Sequence, residues 1–189
     1  MNVIFLFRNL KAIAAIAAIA ALAIGMSACA ALPGSGGNSW KEEVQLRDGG
    51  MIIAQRAVEL GGRREIEQLP PIRSQTLTFT MPGTGQTVVW EDPYSIEVCA
   101  ASFLPMLLEI DRSVAYLVVY PMGCLSYNKW GRPNPPYVVF KYQRNKWDRI
   151  PLEELPAAIT KPNLIFSSPD IQAKEAGQPV VSAATIRRL

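Results

Sequence analysis

The arrangement of apolar and polar positions changes character twice along the chain. Ala12 to Ile24 is an unbroken apolar run, Leu32 to Ser39 mixes Gly, Ser and Pro, and from Trp40 onward the prevailing period is two. Alternation of that kind predicts half-buried strands. Trp40, Val44 and Leu46 alternate with Lys41, Glu43, Gln45 and Arg47. Asp48-Gly49-Gly50 then supplies a turn, and Met51 to Leu60 returns as the second strand of a hairpin. Residues 63–73, with Pro70-Pro71, read as a loop. Ser74 to Met81 is the clearest strand, with Leu77, Phe79 and Met81 on one face and Thr76, Thr78 and Thr80 on the other. Pro82 to Gly85 turns it into Gln86 to Glu91, where Val88 and Trp90 share a face. Phe103 to Ile110 and Val114 to Tyr120 are apolar on both faces, as central strands are, with Asp111-Arg112 as a tight connection. Pro121 to Pro136 reads as a long irregular crossing. Tyr137 to Tyr142 and Lys146 to Ile150 predict a hairpin around Arg144-Asn145. Leu152 to Leu155 suggests one helical turn, Asn163 to Phe166 a short strand, and Ser182 to Arg187 a short helix capped by Ser182. Seven or eight strands joined by Gly/Pro turns predict a mainly β fold. The candidates are a single antiparallel sandwich, a partly open barrel or a curled meander, with a short C-terminal helix.

The first segment has a different physical form. Arg8 and Lys11 precede the apolar run, and Gly25-Met26-Ser27-Ala28-Cys29 closes it with small residues. A basic flank, an apolar stretch of about a dozen residues and a small-residue cleavage site make a secretion signal. Ala-rich sequence gains little from hydrocarbon, and Pro33 to Gly37 interrupts the uncharged stretch, which argues against a membrane span. Met26-Ser27-Ala28-Cys29 resembles the lipobox of bacterial lipoproteins, with Met26 where Leu is usual. That resemblance implies cleavage before Cys29 and acylation of its thiol. With Ala30 following, it also implies sorting to the periplasmic face of the outer membrane. Three segments are expected: a lipoprotein signal peptide over 1–28, a lipidated flexible tether over 29–39, and a single β-rich periplasmic domain over 40–189.

Composition narrows the chemistry. The 19 Lys and Arg exceed the 16 Asp and Glu by three, but Arg8 and Lys11 lie in the signal segment with no acid beside them. The remainder is close to neutral, so no nucleic-acid partner is expected. The chain has no histidine, which removes the commonest general base and metal ligand. No cofactor or metal is expected.

Further stretches resemble a family of uncharacterised Gram-negative lipoproteins. They are Trp40-Lys41-Glu42-Glu43-Val44 with Asp48-Gly49, Gly61-Gly62-Arg63, Leu77-Thr78-Phe79-Thr80, Pro82-Gly83-Thr84, Phe140-Lys141-Tyr142 and Arg149-Ile150-Pro151-Leu152. The most specific is Tyr127-Asn128-Lys129-Trp130-Gly131-Arg132-Pro133-Asn134-Pro135-Pro136-Tyr137. The resemblance implies an envelope location and supplies no activity.

Five features compete as sites. Ser126 and Lys129 have the S-x-x-K spacing of penicillin-binding enzymes, which requires a helix to bring the lysine to the serine. The following Trp130-Gly131-Arg132-Pro133 does not read as helix, and no Lys-Thr-Gly partner exists. Gly83-Thr84-Gly85 reads as a turn rather than a phosphate loop. Glu91-Asp92 and Glu153-Glu154 read as solvated charge, since adjacent strand residues point to opposite faces. The stretch 127–137 concentrates Tyr127, Trp130, Arg132 and Tyr137, residue types typical of binding hot spots, among prolines that lower the entropy of ordering. Two readings stay open for it, a binding surface and a lid folded over the core. Arg63-Arg64, in a glycine-flanked turn, is a weaker candidate.

Cys99 and Cys124 are the thiols left once Cys29 is acylated. If Asp111-Arg112 is a two-residue turn, paired residue numbers sum to 223, as 99 and 124 do. That register makes them a candidate disulfide. The expected function is therefore a non-enzymatic, lipid-anchored periplasmic binding domain, held to the membrane through Cys29 and engaging an envelope protein or cell-wall partner. The alternatives are an envelope hydrolase using Ser126 and Lys129, and an inhibitor or immunity-type lipoprotein.

Overall fold

Period-two patterning is realised as eight antiparallel strands in two four-stranded sheets. The computed structural model describes residues 37–61 and 69–189. The predicted signal peptide, the lipidation candidate Cys29 and Arg63-Arg64 lie outside those residues. One sheet has the order β1-β2-β3-β4, formed by β1 (Gly37–Gln45), β2 (Met51–Leu60), β3 (Ile72–Thr80) and β4 (Thr87–Asp92). The other has the order β5-β6-β7-β8, formed by β5 (Phe103–Asp111), β6 (Val114–Pro121), β7 (Val138–Gln143) and β8 (Lys146–Ile150). Each sheet is a simple meander, so every strand pairs with its sequence neighbour.

The inward faces meet in one core. Val44, Ala54, Leu77, Phe79, Val88 and Trp90 from the first sheet pack with Phe103, Leu108, Leu117, Val119 and Val138 from the second. This face-to-face packing is a sandwich rather than a closed barrel. The apolar outer face of the second sheet is covered as well. Leu107, Tyr116, Val118 and Val139 pack beneath Ile159, Leu152 and Leu155. That is why β5 and β6 read as apolar on both sides.

The turns are where side-chain and backbone chemistry agree best. Gly49, with φ +90°, and the Asp48 carboxylate, which accepts from Gly50 N at 2.8 Å, close the β1–β2 hairpin. Arg144 and Asn145 both have positive φ and link β7 to β8, a two-residue turn of the kind that matches strand twist. The β5–β6 turn lies one residue later than expected. Asp111 pairs with Val114, and Arg112 and Ser113 hold the positive φ values. A bulge then follows, because Pro105 faces Val119 while Leu107 faces Val118, leaving Met106 unpaired.

Leu152–Glu154 forms the expected single helical turn as a 3-10 helix, and among the described residues three α-helices interrupt the β pattern: α1 (Gly123–Lys129), α2 (Pro169–Ala176) and α3 (Ala183–Ile186). The last matches the expected C-terminal helix, and the Ser182 hydroxyl accepts from Thr185 N at 3.2 Å. The first falls inside the stretch expected to be irregular. Gly131, with φ +85°, ends it, with Gly131 N donating to Asn128 O and Arg132 N to Tyr127 O. Asn163 to Phe166, expected as a strand, is irregular, and β1 begins at Gly37, inside the span expected to be tether.

The antiparallel order gives the sandwich two unlike ends. At one end lie the tight turns 46–50, 81–86, 112–113 and 144–145, with residues 158–163 and the C-terminal helix packed beside Gln45 to Arg47. At the other, among the described residues, lie the start of β1, residues 69–71 before β3, and the connections 93–102 and 122–137.

Candidate functional site

The connection-rich end carries a cleft of about 800 Å³ against the free edge of β4. Its aromatic lining comes from five separate parts of the chain: Trp90 on β4, Tyr94 in the β4–β5 connection, Phe103 on β5, Trp130 after α1, and Phe140 and Trp147 on the last hairpin. Period two brings Trp90 and Phe103 inward, and register sets Phe140 beside Arg149 and Tyr142 beside Trp147. Trp130 lies 4.6 Å from Phe103 and 6.3 Å from Phe140, centroid to centroid, and Phe140 is 5.8 Å from Trp90. Phe103 and Phe140 meet edge to face at 5.5 Å. Such tilted contacts match the favourable geometry of aromatic quadrupoles. Trp147 spans the open side of the sandwich, where its Nε1 donates to Val89 O at 2.8 Å.

Trp130 is therefore packed as a lid. Arg149 stacks its guanidinium 5.4 Å from the indole and donates to Trp130 O at 3.1 Å. The indole Nε1 is buried without an acceptor. The other three candidates of the 127–137 stretch do not join it in one surface. Tyr137 packs with the cluster on the outer face of the second sheet, Tyr127 is half-buried, and Arg132 is exposed with Nε donating to Asn128 Oδ1 at 2.9 Å.

The charged groups of the cleft are Glu91, Asp92, Glu97 and Lys129. Asp92 corrects the reading of Glu91-Asp92 as solvated charge. It is 4% exposed, continuing the inward face of Val88 and Trp90. Its oxygens accept from Ser102 N at 2.9 and 3.0 Å, Phe103 N at 2.8 Å and Gln75 Nε2 at 3.0 Å. Burial pushes its pKa above the usual carboxylate value, against the opposing pull of those N–H donors and of Lys129. The aspartate thereby fastens the end of β4 to the start of β5.

Ser126 and Lys129 do stand on a helix, contrary to the expectation that this sequence would not form one. The helix ends at Trp130, so the residues following Lys129 mark its stop rather than its absence. The two side chains part company. Ser126 is fully buried and donates to Ser102 O, whereas Lys129 Nζ donates to Ser95 Oγ at 2.7 Å and pairs with Glu97 at 3.3 Å. No contact joins the serine to the lysine among the described residues.

Cys99 and Cys124 are both free and exposed, so the candidate disulfide is not formed in this structure. The β5–β6 pairing that was to align them fails twice. The turn is displaced by one residue, the bulge at Met106 shifts the register again, and the ladder ends at the Phe103–Pro121 pair. Cys99 instead sits in a bend with φ +58°, and Cys124 on α1.

A second polar group escaped the sequence pattern. Glu42 and Arg56 are buried together, 3.4 Å apart, with the guanidinium 4.9 Å from the Trp40 ring. Glu42 Oε2 also accepts from Ile165 N at 3.2 Å, and Arg56 Nη1 donates to Ile165 O. Desolvation raises the Glu42 pKa and lowers that of Arg56, each opposed by attraction to the other. The signal was present in the period: Trp40, Glu42, Val44 and Leu46 share one face of β1. This pair belongs to the core and not to the cleft. Compared with protein-family models, curated proteins and solved structures, the chain matches none.

Proposed function

We propose that the chain is a lipid-anchored envelope domain that binds a partner in the aromatic cleft and performs no catalysis. The anchor is the acylated Cys29, and the location is the periplasmic face of the outer membrane. The observation that carries the binding role is the convergence of six aromatic rings in a cleft of about 800 Å³, beside a sheet edge that pairs on one side only. Concave sites with apolar walls and a few fixed polar groups are the usual form of binding sites. Here Glu91 and Glu97 are exposed at the rim, while Asp92 and the Lys129–Glu97 pair hold its walls in place. The edge strand β4 adds unpaired backbone groups, of which Val89 O is already taken by Trp147.

Position-specific photocrosslinking in intact cells tests the reading. A photoreactive side chain at Glu97, on the rim, should give a discrete adduct. The same group at Gln55, exposed on the outer face of the first sheet, should give none. Equal adducts from both positions, or none from Glu97, would overturn the cleft as the binding site. Trp130 is a poor probe, because its truncation would remove core packing along with any contact.

A further inference from the structure

We infer that the connection-rich end of the sandwich docks onto the lipid surface, with Leu69, Ile96 and Leu125 entering its interfacial layer. Ile96 is 81% exposed, Leu69 72% and Leu125 58%, the three highest values among the large apolar side chains. One stands on each of the three long connections, all at the same end. Exposed apolar residues elsewhere, such as Met51, Ile53 and Val89, lie on a sheet face.

The three connections are tied into a single platform. Lys129 on α1 pairs with Glu97 beside Ile96, and the Arg73 guanidinium at the start of β3 lies 4.8 Å from the Tyr94 ring. Met122, leading into α1, shares a groove of about 720 Å³ with Leu69 and Leu104. Solvent exposure of three such side chains on a braced surface is unfavourable unless something apolar covers it.

The course of the chain says what covers it. The domain begins at Gly37, on this same end, and Cys29 lies eight residues before it. Eight residues reach at most about 28 Å. The ten-residue strand β2 alone spans about 33 Å, so the end with the tight turns stands away from the anchor. Among the described residues the charges of the docking end are mixed, with Arg73, Lys129 and Arg132 against Glu59, Glu97 and Asp170. Attachment is therefore by apolar insertion and depends little on anionic lipid. The cleft opens beside this end, which places its partner at the membrane surface.

The inference rests on the lipid-anchored reading, and the experiment separates the two. The acylated full-length mature protein is reconstituted into phosphatidylethanolamine–phosphatidylcholine vesicles, and flotation with the mass of the Cys29 peptide reports the anchor alone. Orientation is read from an environment-sensitive fluorophore on native Cys124 in a Cys99→Ser background. A second preparation carries the label at Asn145→Cys with both Cys99 and Cys124 changed to Ser. The label at Cys124 should shift to the blue and be quenched by nitroxide lipid, with little change on adding phosphatidylglycerol or 1 M salt. The label at Asn145, in the β7–β8 turn, should remain aqueous. If Cys29 carries no lipid, it too is changed to Ser so that the label keeps a single thiol, a chelating lipid holding an N-terminal polyhistidine tag replaces the anchor, and the orientation is read in the same way. An aqueous Cys124 label, an immersed Asn145 label, or a shift that appears only with anionic lipid would overturn the docking face. The triple variant Leu69→Ser, Ile96→Ser, Leu125→Ser should still float but weaken insertion of the label about tenfold or more.

Discussion

Asp92 shows how much a single position can rest on its place in an alternating pattern. Paired by sequence with Glu91, it looks like surface charge; paired by period with Val88 and Trp90, it points inward, and that is where it lies. Its raised pKa has a definite consequence for stability. The folded protein holds the Asp92 proton more tightly than the unfolded chain does, so folding stability falls as pH rises from about 3.8, the ordinary value, through the raised one. Asp92→Asn removes that titration. The variant should be less stable than the parent at low pH by about 1–3 kcal/mol, because an amide that keeps its oxygen toward Gln75 Nε2 and Phe103 N sets its NH₂ donor against Ser102 N, where Asp92 presents an oxygen. The deficit should be largest at low pH and shrink as pH rises through the carboxylate range. Urea denaturation at several pH values measures it, and a deficit that grows with pH would contradict the direction given for Asp92. Glu42 and Arg56 were legible in the same way, on the inward face of a clear strand, but an ion pair at such positions runs against the expectation that charge stays outside. Its backbone partner Ile165 lies more than a hundred residues away, where no local pattern points to it.

Strands were legible where a one-sided face or a turn dipeptide marked them, as at Leu77-Thr78-Phe79-Thr80 and Arg144-Asn145. The elements that escaped were short or aperiodic. The seven residues of α1 and the eight of α2 are two turns each, too brief for a 3.6-residue period to stand out. The bulge at Met106 had no signal beyond Pro105, which lacks an amide donor and sits, as such residues do, on an edge strand. The edges themselves are handled by different means. β1 is covered by Val181, whose N donates to Lys41 O at 2.8 Å and whose O accepts from Glu43 N at 2.9 Å. β5 is capped by one side chain imitating a strand. The Asn163 amide accepts from Leu108 N at 2.9 Å and donates to Leu108 O at 2.8 Å and Gln45 O at 3.1 Å. Asn163→Ala should leave those backbone groups without partners and cost about 2–3 kcal/mol. Hydrogen exchange should show the loss at Leu108 and leave the β7–β8 ladder protected. A uniform loss across both sheets would mean the cap is not local.

At the scale of the whole molecule, the two ends of the sandwich divide the work. Tight turns close one end, and the other gathers the chain entry, the aromatic cleft and the exposed apolar tips. The proposed anchor at Cys29 would give that asymmetry a purpose, since the described chain begins at Gly37, where those features lie. The anchor itself stands on chemistry that a single atom decides. Acylation needs a sulfur nucleophile, and a serine hydroxyl at the same position is neither ionised to a useful extent nor as nucleophilic as a thiolate. Two or three acyl chains, each contributing about 0.8 kcal/mol per buried CH₂, hold a domain that one chain would leave exchanging with solvent. Cys29→Ser should therefore block acylation and the cleavage that depends on it. The chain should then accumulate as the uncleaved precursor or lose its place in the outer membrane. Membrane fractionation with intact-mass measurement reads both effects at once. A Cys29→Ser protein that still co-fractionates with outer membrane and has the mass of a processed, acylated chain would remove the anchor, and with it the reason for the docking end to face lipid.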